Sequence, residues 1–445
     1  MTTSAERASR GKNERKAVPR SAHGSWAPAP DREDPVAVLE RQAADRVPEL
    51  VPIRNGRMAA SRFAFLRGAA AVMTADLAAQ PHTGLTVQLC GDAHLLNFGL
   101  YASPERALLF DLNDFDETLP GPFEWDVKRL AASVAVAALD HGHSPAQAHR
   151  AACEAAESYR RTMRDLSGER ELDVWYTRID TQDAATLVKP VYRKRVGSTI
   201  AHARHRTSLQ ALGKLTEVVD GSRRIIDDPP LLEHMDAMDQ STIRAIFADY
   251  RSTLPEHRRR LLDRFQVVDV ARKVVGVGSV GTRCFVVLLT GRDTEDPLFL
   301  QVKEAVHSVL ESDLPAGAYT HQGHRVVAGQ QLLQSASDIF LGWVTGPYGR
   351  HFYWRQLRDM KGAADVDSMT PDMLRRYAGL CGTALAHAHA RSGDRIAIAS
   401  YLGGSDAFDR AIGDFSLAYA DQNTLDHTAL TEAVASGAVR ATAGV

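Results

Sequence analysis

Three short segments carry residue types and spacings suited to chemistry on a phosphate. The first, Gly91-Asp92-Ala93-His94-Leu95-Leu96-Asn97, follows an apolar run from Leu85 to Cys90 and puts a carboxylate, an imidazole and an amide close together. Phosphoryl transfer asks a protein mainly for alignment and charge neutralisation. Asp92 is therefore expected to act as base on an acceptor hydroxyl, with His94 in the same catalytic loop and Asn97 on a metal ion. The second segment, Asp111-Leu112-Asn113-Asp114-Phe115-Asp116, follows another apolar run and crowds three carboxylates. Such carboxylates repel unless a cation sits among them, and an all-oxygen donor set suits Mg²⁺. Asp111, Asp114, Asp116 and Asn97 are the expected ligands. The third, Gly276-Val277-Gly278-Ser279-Val280-Gly281, has the G-x-G-x-x-G form common to dinucleotide folds and kinases. In a dinucleotide fold the glycines open a helix, whereas Thr282 to Leu289 is β-branched and apolar and reads as the second strand of a hairpin. The next strand ends in Lys303, where a kinase carries the lysine on its nucleotide phosphates. Gly276, Gly278, Ser279, Gly281 and Lys303 are thus the expected binding set for ATP.

These segments need elements to hold them. From Val36 to about Phe265 the apolar spacing is mainly helical, interrupted by the two short strands that carry the Asp92 and Asp114 loops. Strand patterns dominate from 266 to 360, and from Pro371 the chain returns to Ala-rich helix that is expected to end in a frayed tail. The expected units are a flexible arm over 1–35, a helical lobe over 36–265, a small β-rich nucleotide-binding lobe over 266–360, and helices over 361–445 that pack on the helical lobe. In kinases the glycine loop and lysine precede the catalytic loop and the metal carboxylates, and here the order is reversed. A circular permutation restores it, so the expected fold is α+β, two-lobed and protein-kinase-like, with a small antiparallel sheet lobe and a large helical lobe. The helix around Tyr377 to His389 then supports the Asp92 loop from behind, with Phe63 to Ala79 as the alternative. Lys303 lacks an obvious glutamate partner; Glu311, Gln330 and Gln334 are the candidates.

With 445 residues, 44% hydrophobic and 24% charged, the chain has ordinary globular composition. A net charge of −2 provides no field toward nucleic acid or anionic lipid. Arg54, Arg57, Arg62 and Arg67 recur at spacings that can line one side of helix and loop. The basic tract Lys189 to Arg206 has one aromatic, Tyr192, and reads as a solvated connection, not a nucleic-acid site. Cys90, Cys153, Cys284 and Cys381 are far apart and form no zinc motif. The longest apolar run, Leu130 to Leu139, is shorter than the roughly 20 residues of a membrane span. A cytoplasmic protein without membrane partners is expected.

Several segments resemble the uncharacterised bacterial family catalogued as domain of unknown function 2252. They are Arg57 to Gly68, Cys90 to Gly99, Phe110 to Glu117, Trp125 to Arg129, Leu300 to Glu304, Gln330 to Asp338 and Ala386 to Asp394. That family is grouped with the protein-kinase-like superfamily, so the resemblance implies the permuted arrangement but no particular acceptor. The leading expectation is an ATP- and Mg²⁺-dependent phosphotransferase with a small-molecule acceptor. Transfer of AMP on the same fold and a nucleotide-binding regulatory module without catalysis stay open. A metallophosphoesterase is disfavoured because no G-N-H-[DE] segment accompanies Gly91-Asp92-Ala93-His94.

Overall fold

The computed structural model describes residues 2–181, 190–219, 222–234, 240–357 and 359–444. It is an α+β structure with a small antiparallel sheet region and a larger helical region. Early in the chain come β1 (Thr86–Leu89), β2 (Phe98–Ala102), β3 (Leu108–Leu112) and β4 (Leu119–Pro122). Later come β5 (Thr216–Val219), β6 (Ser222–Ile225), β7 (Leu232–Glu233), β8 (Gln266–Lys273), β9 (Cys284–Thr290) and β10 (Pro297–Glu304). Last are β11 (Gly342–Thr345), β12 (His351–Gln356) and β13 (Gly362–Ala363). The largest sheet runs β11-β12-β10-β9-β8-β7, all antiparallel.

Side chains alternate across this sheet, so it has two faces to cover. Val287, Leu289, Leu300, Val302 and Trp354 meet Phe247 and Tyr250 of the helix Gln240–Ser252. Ala271, Val286, Leu288 and Phe299 meet Ala211 and Leu212 of the helix Ser208–Leu215. Residues before 265 therefore belong to the sheet region, and the expected boundary at 265 moves toward the amino terminus. Pairing by apolar face, not order in the sequence, sets that boundary.

The helical region is built on Phe123–Asp140, buried along nearly its whole length, with Pro145–Ser167, Pro371–Ser392 and Ala407–Ala435 around it. Small residues let these axes approach closely. A Cβ on Gly382 would lie 2.1 Å from the carbonyl oxygen of Ala155, so Pro371–Ser392 and Pro145–Ser167 touch backbone to backbone there. No helix among the described residues is long and apolar enough to cross a membrane.

Both termini correct the sequence reading. The arm expected to be flexible begins with the helix Ser4–Ala17, closed by a capping box between Thr3 and Glu6. Arg15 Nε donates to Tyr401 O and Arg20 Nη1 to Leu402 O, each at 2.6 Å, supplying partners for the last carbonyls of the helix Arg395–Leu402. Arg32 then bridges two buried carboxylates, Asp76 at 2.7 Å and Asp426 at 2.6 Å. The far end, expected as a tail, is tied back by Thr442 N–H to Pro52 O and Asn55 Nδ2 to Arg440 O. Polar arms of this kind carry no apolar period to betray their docking. Arg20→Ala is expected to cost about 1.5–3 kcal/mol, the range of a charge-assisted hydrogen bond, with faster proteolysis before Pro35 as a second readout.

Of the basic tract, Lys189 lies outside the described residues. As far as His205 the rest is the helix Pro190–His205, whose residues are mostly exposed, so the expected solvated connection is helical. Arg195 Nη1 donates to Ser368 O at 3.1 Å, and Arg206 accepts from Met360 N–H and donates to Lys361 O. The tract is held on the segment that follows β12, with its remaining cations in water.

Candidate functional site

The Asp92 loop is clamped from below. Gly91 has φ +86°, and a Cβ there would lie 2.3 Å from Glu117 O, so only glycine fits. Asp126, on the first turn of Phe123–Asp140, accepts from Cys90 N–H at 2.6 Å and from Gly91 N–H at 3.0 Å. His389 in turn lies between Asp126 Oδ2 at 3.2 Å and the Tyr159 hydroxyl at 2.9 Å, and is fully buried. Tyr377 donates to Phe98 O at 3.0 Å, so the helix Pro371–Ser392 backs the loop with two side chains. The segment Arg62–Ala78 flanks it through Leu66 O, which accepts from Arg129 at 2.7 Å.

Arg129 also grips Asp92 Oδ1, with Nε at 2.9 Å and Nη2 at 2.7 Å. Asp92 Oδ2 lies 3.8 Å from His94 Nε2. Burial holds the His94 imidazole down to about 4, so near neutral pH it is uncharged and orients the loop, accepting Leu96 N–H on Nδ1. Asn97 donates its amide to Asp92 O at 2.5 Å, which shapes the loop and turns the nitrogen, not the oxygen, inward. Lys128, next to Arg129, points instead at the Phe415 ring, 4.5 Å away.

The three expected carboxylates separate. Asp111 lies inside β3, buried on the side where it accepts Leu112 N–H at 2.9 Å and Ser335 N–H at 3.1 Å. It does not line the cleft and is not a metal ligand beside the other two. Asp114 and Asp116 lie past the end of β3, in a loop free to turn, and both meet Lys303 Nζ. Asp114 Oδ1 is 3.4 Å away and Asp116 Oδ2 is a direct ion-pair partner. The lysine holds the Asp114 carboxyl down to about 2, against the opposing effect of burial. Tyr353 donates to Asp116 Oδ1 at 2.6 Å, and Arg325 donates to Asp116 O and Thr118 O, fixing the loop.

Asp114 and Asp116 therefore take the place of the lysine partners sought in sequence. Gln334 donates to Leu112 O, Gln330 to Gln334, and Glu311 pairs with His307. Glu304, next to Lys303 but on the alternate face of β10, accepts from Arg283 N–H and pairs with Arg350 Nη1 at 2.7 Å. Cys90 is buried with its thiol pushed up and contacts Asp114 O.

Gly276 to Gly281 is a turn between the antiparallel strands β8 and β9 and opens no helix. Gly276 has φ +71°, a conformation that favours glycine. The turn meets the helical region at Gly278, where a Cβ would lie 3.1 Å from Arg67 O. One cleft is lined by Gly276, Gly278 and Ser279 together with Asp92, His94, Asn97, Asp114 and Asp116. Lys303 closes it through the two carboxylates. Among the described residues no group of three or more His, Cys, Asp or Glu side chains is gathered for a metal ion. Sequence reasoning missed Glu117 on the cleft wall, where burial pushes the carboxyl up to about 7, and the roles of Tyr353 and Arg325.

Residues 46–433 match the family described as an uncharacterised protein conserved in bacteria, domain of unknown function 2252. The chain belongs to that family. The match runs from just before the helix Val51–Ala59 to the last turn of Ala407–Ala435, so the sheet region and the Asp92, Asp114 and glycine-turn segments of the cleft lie within it. No curated protein and no solved structure matches the chain.

Proposed function

We propose that this member of the family is an ATP-dependent phosphotransferase with a permuted, kinase-like arrangement and a small-molecule acceptor. The observation that carries the reading is the meeting of Lys303 Nζ and Asp114 Oδ1 at 3.4 Å across a separation of 189 residues, in a cleft that also holds Asp92 and the glycine turn. Four features remote in sequence have a shared purpose if a nucleotide's phosphates lie between them. The backbone N–H groups of the turn and the Lys303 ammonium face those phosphates, and Asp92 takes the proton of an acceptor hydroxyl as its oxygen attacks the γ-phosphorus and ADP departs.

The donor set fits Mg²⁺. Asp114 and Asp116 supply oxygen only, and this ion commonly takes one or two carboxylates plus phosphate oxygens. When bound, it neutralises phosphate charge; Lys303 would then be shared between the carboxylates and the nucleotide.

Calorimetry with ATP and Mg²⁺ is expected to show binding that EDTA abolishes. Incubation with α-labelled and γ-labelled ATP against a metabolite extract is then expected to move the γ label alone. Movement of the α label assigns AMP transfer to the same cleft. Absence of nucleotide binding removes the reading.

A further inference from the structure

The carboxylates around the cleft have cationic or N–H partners, yet three guanidinium groups there do not have acids. Asp92 is paired with Arg129, Asp114 and Asp116 with Lys303, and Glu304 with Arg283 and Arg350, while Glu117 accepts Val309 N–H at 2.7 Å. Arg67 lines the cleft with a buried Nε that has no hydrogen-bond partner, and it makes no side-chain ion pair within 4 Å among the described residues. Arg46, also on the cleft wall, donates one nitrogen to Val280 O in the glycine turn and leaves its Nε buried and unpaired. Arg54 stands behind them, 1% exposed. Its Nη2 donates to Gln42 Oε1 at 3.1 Å and to Gly68 O at 3.0 Å, while Nε and Nη1 have no partner. Gln42 and Gly68 line the same cleft.

Burying a guanidinium without an anion is costly, and burial lowers the proton affinity of all three groups. Such a cluster is what an absent anion would compensate. The cluster bridges two parts of the cleft: Arg67 O lies 3.1 Å from where a Cβ on Gly278 would sit, and its neighbour Leu66 accepts from Arg129, which grips Asp92. Arg67 thus borders the Asp92 loop, where on the phosphotransferase reading the acceptor hydroxyl must lie, as well as the glycine turn. Three uncompensated cations suit a dianion better than a monocarboxylate, and planar guanidinium groups match phosphate oxygens in pairs.

We propose that Arg46, Arg54 and Arg67 form an anion subsite for a phosphate group carried by the acceptor, so that the substrate is a phosphorylated small molecule with a free hydroxyl. The inference rests on the phosphotransferase reading for the word acceptor, but the subsite itself can be tested without it.

Inorganic phosphate is the probe, titrated by calorimetry into protein saturated with Mg²⁺ and a non-hydrolysable ATP analogue. Phosphate is expected to bind the loaded protein, and Arg67→Gln is expected to weaken it by about tenfold or more while changing analogue affinity by less than about threefold. Arg67→Lys keeps the charge and is expected to retain part of that affinity, and unfolding curves for each variant confirm an intact fold. If the loaded wild-type protein takes no phosphate, the proposal is overturned. It is also overturned if Arg67→Gln and Arg46→Gln weaken the analogue as much as phosphate, because the arginines then hold the nucleotide's own phosphates. If no nucleotide binds but phosphate binds in an Arg67-dependent way, the subsite stands and the phosphotransferase reading falls.

Discussion

Asp92→Asn is expected to lower turnover with ATP by about 10²–10⁴-fold, the usual contribution of a positioned proton acceptor, with Mg²⁺·ATP affinity nearly unchanged. Asparagine is the informative replacement. Its amide oxygen still accepts from Arg129, which is 3% exposed and would be left without an acceptor by alanine. Asp114→Ala is expected to reverse the pattern, because Asp114 meets Lys303 rather than Arg129 and stands with the phosphates. Its loss should appear first in calorimetry with Mg²⁺·ATP. Equal loss of nucleotide affinity in both variants, with both folded, would mean that Asp92 and Asp114 serve one binding function and that the proton goes elsewhere.

Lys303→Met is expected to abolish nucleotide binding and to destabilise the fold by about 3 kcal/mol, at the low end for breaking a buried ion pair. The lysine is 1% exposed, and its removal leaves Asp114 and Asp116 facing each other. Their carboxylates still reach water through the cleft, which keeps the cost below that of a sealed pair. Denaturant titration measures it, and adding Asp116→Asn to Lys303→Met should recover part of the loss because one of the repelling charges is gone. The pH dependence has a definite sign. Asp114 is held down to about 2 in the folded protein, so its stabilising contribution is present above the ordinary carboxylate range and is lost as pH falls toward 2. In Lys303→Met that acid-sensitive contribution should vanish. A variant as stable as the parent, with an unchanged acid transition, would show that the lysine and carboxylates are not coupled.

Local chemistry made much of the site legible. The β-branched run after Gly281 requires a strand, which makes Gly276 to Gly281 a hairpin turn, and the strand-like run before Gly91-Asp92 marks that segment as a loop at a strand end. These are consequences of side-chain shape and backbone sterics over a few residues, and such terms can be read in order along the chain. The same reading failed at Asp111. Asp111 is still held in β3, where it accepts from Ser335, and only past the end of that strand does the chain turn Asp114 and Asp116 into the cleft.

Partners were decided only in three dimensions. Lys303 was identifiable as a lysine at a strand end, but its acids come from 187 and 189 residues away. The polar arm at 1–35 looked disordered because it lacks an apolar period, and it is ordered by arginines that meet carbonyls at the end of a distant helix. Arg67 was visible as one of a spaced series, yet its lack of an anionic partner is a property of everything folded around it. The sequence by itself determined which backbone conformations and chemical groups are available. Only the tertiary structure decided which charges are compensated, because Coulomb and desolvation energies depend on distance and burial in space, and neither follows separation along the chain.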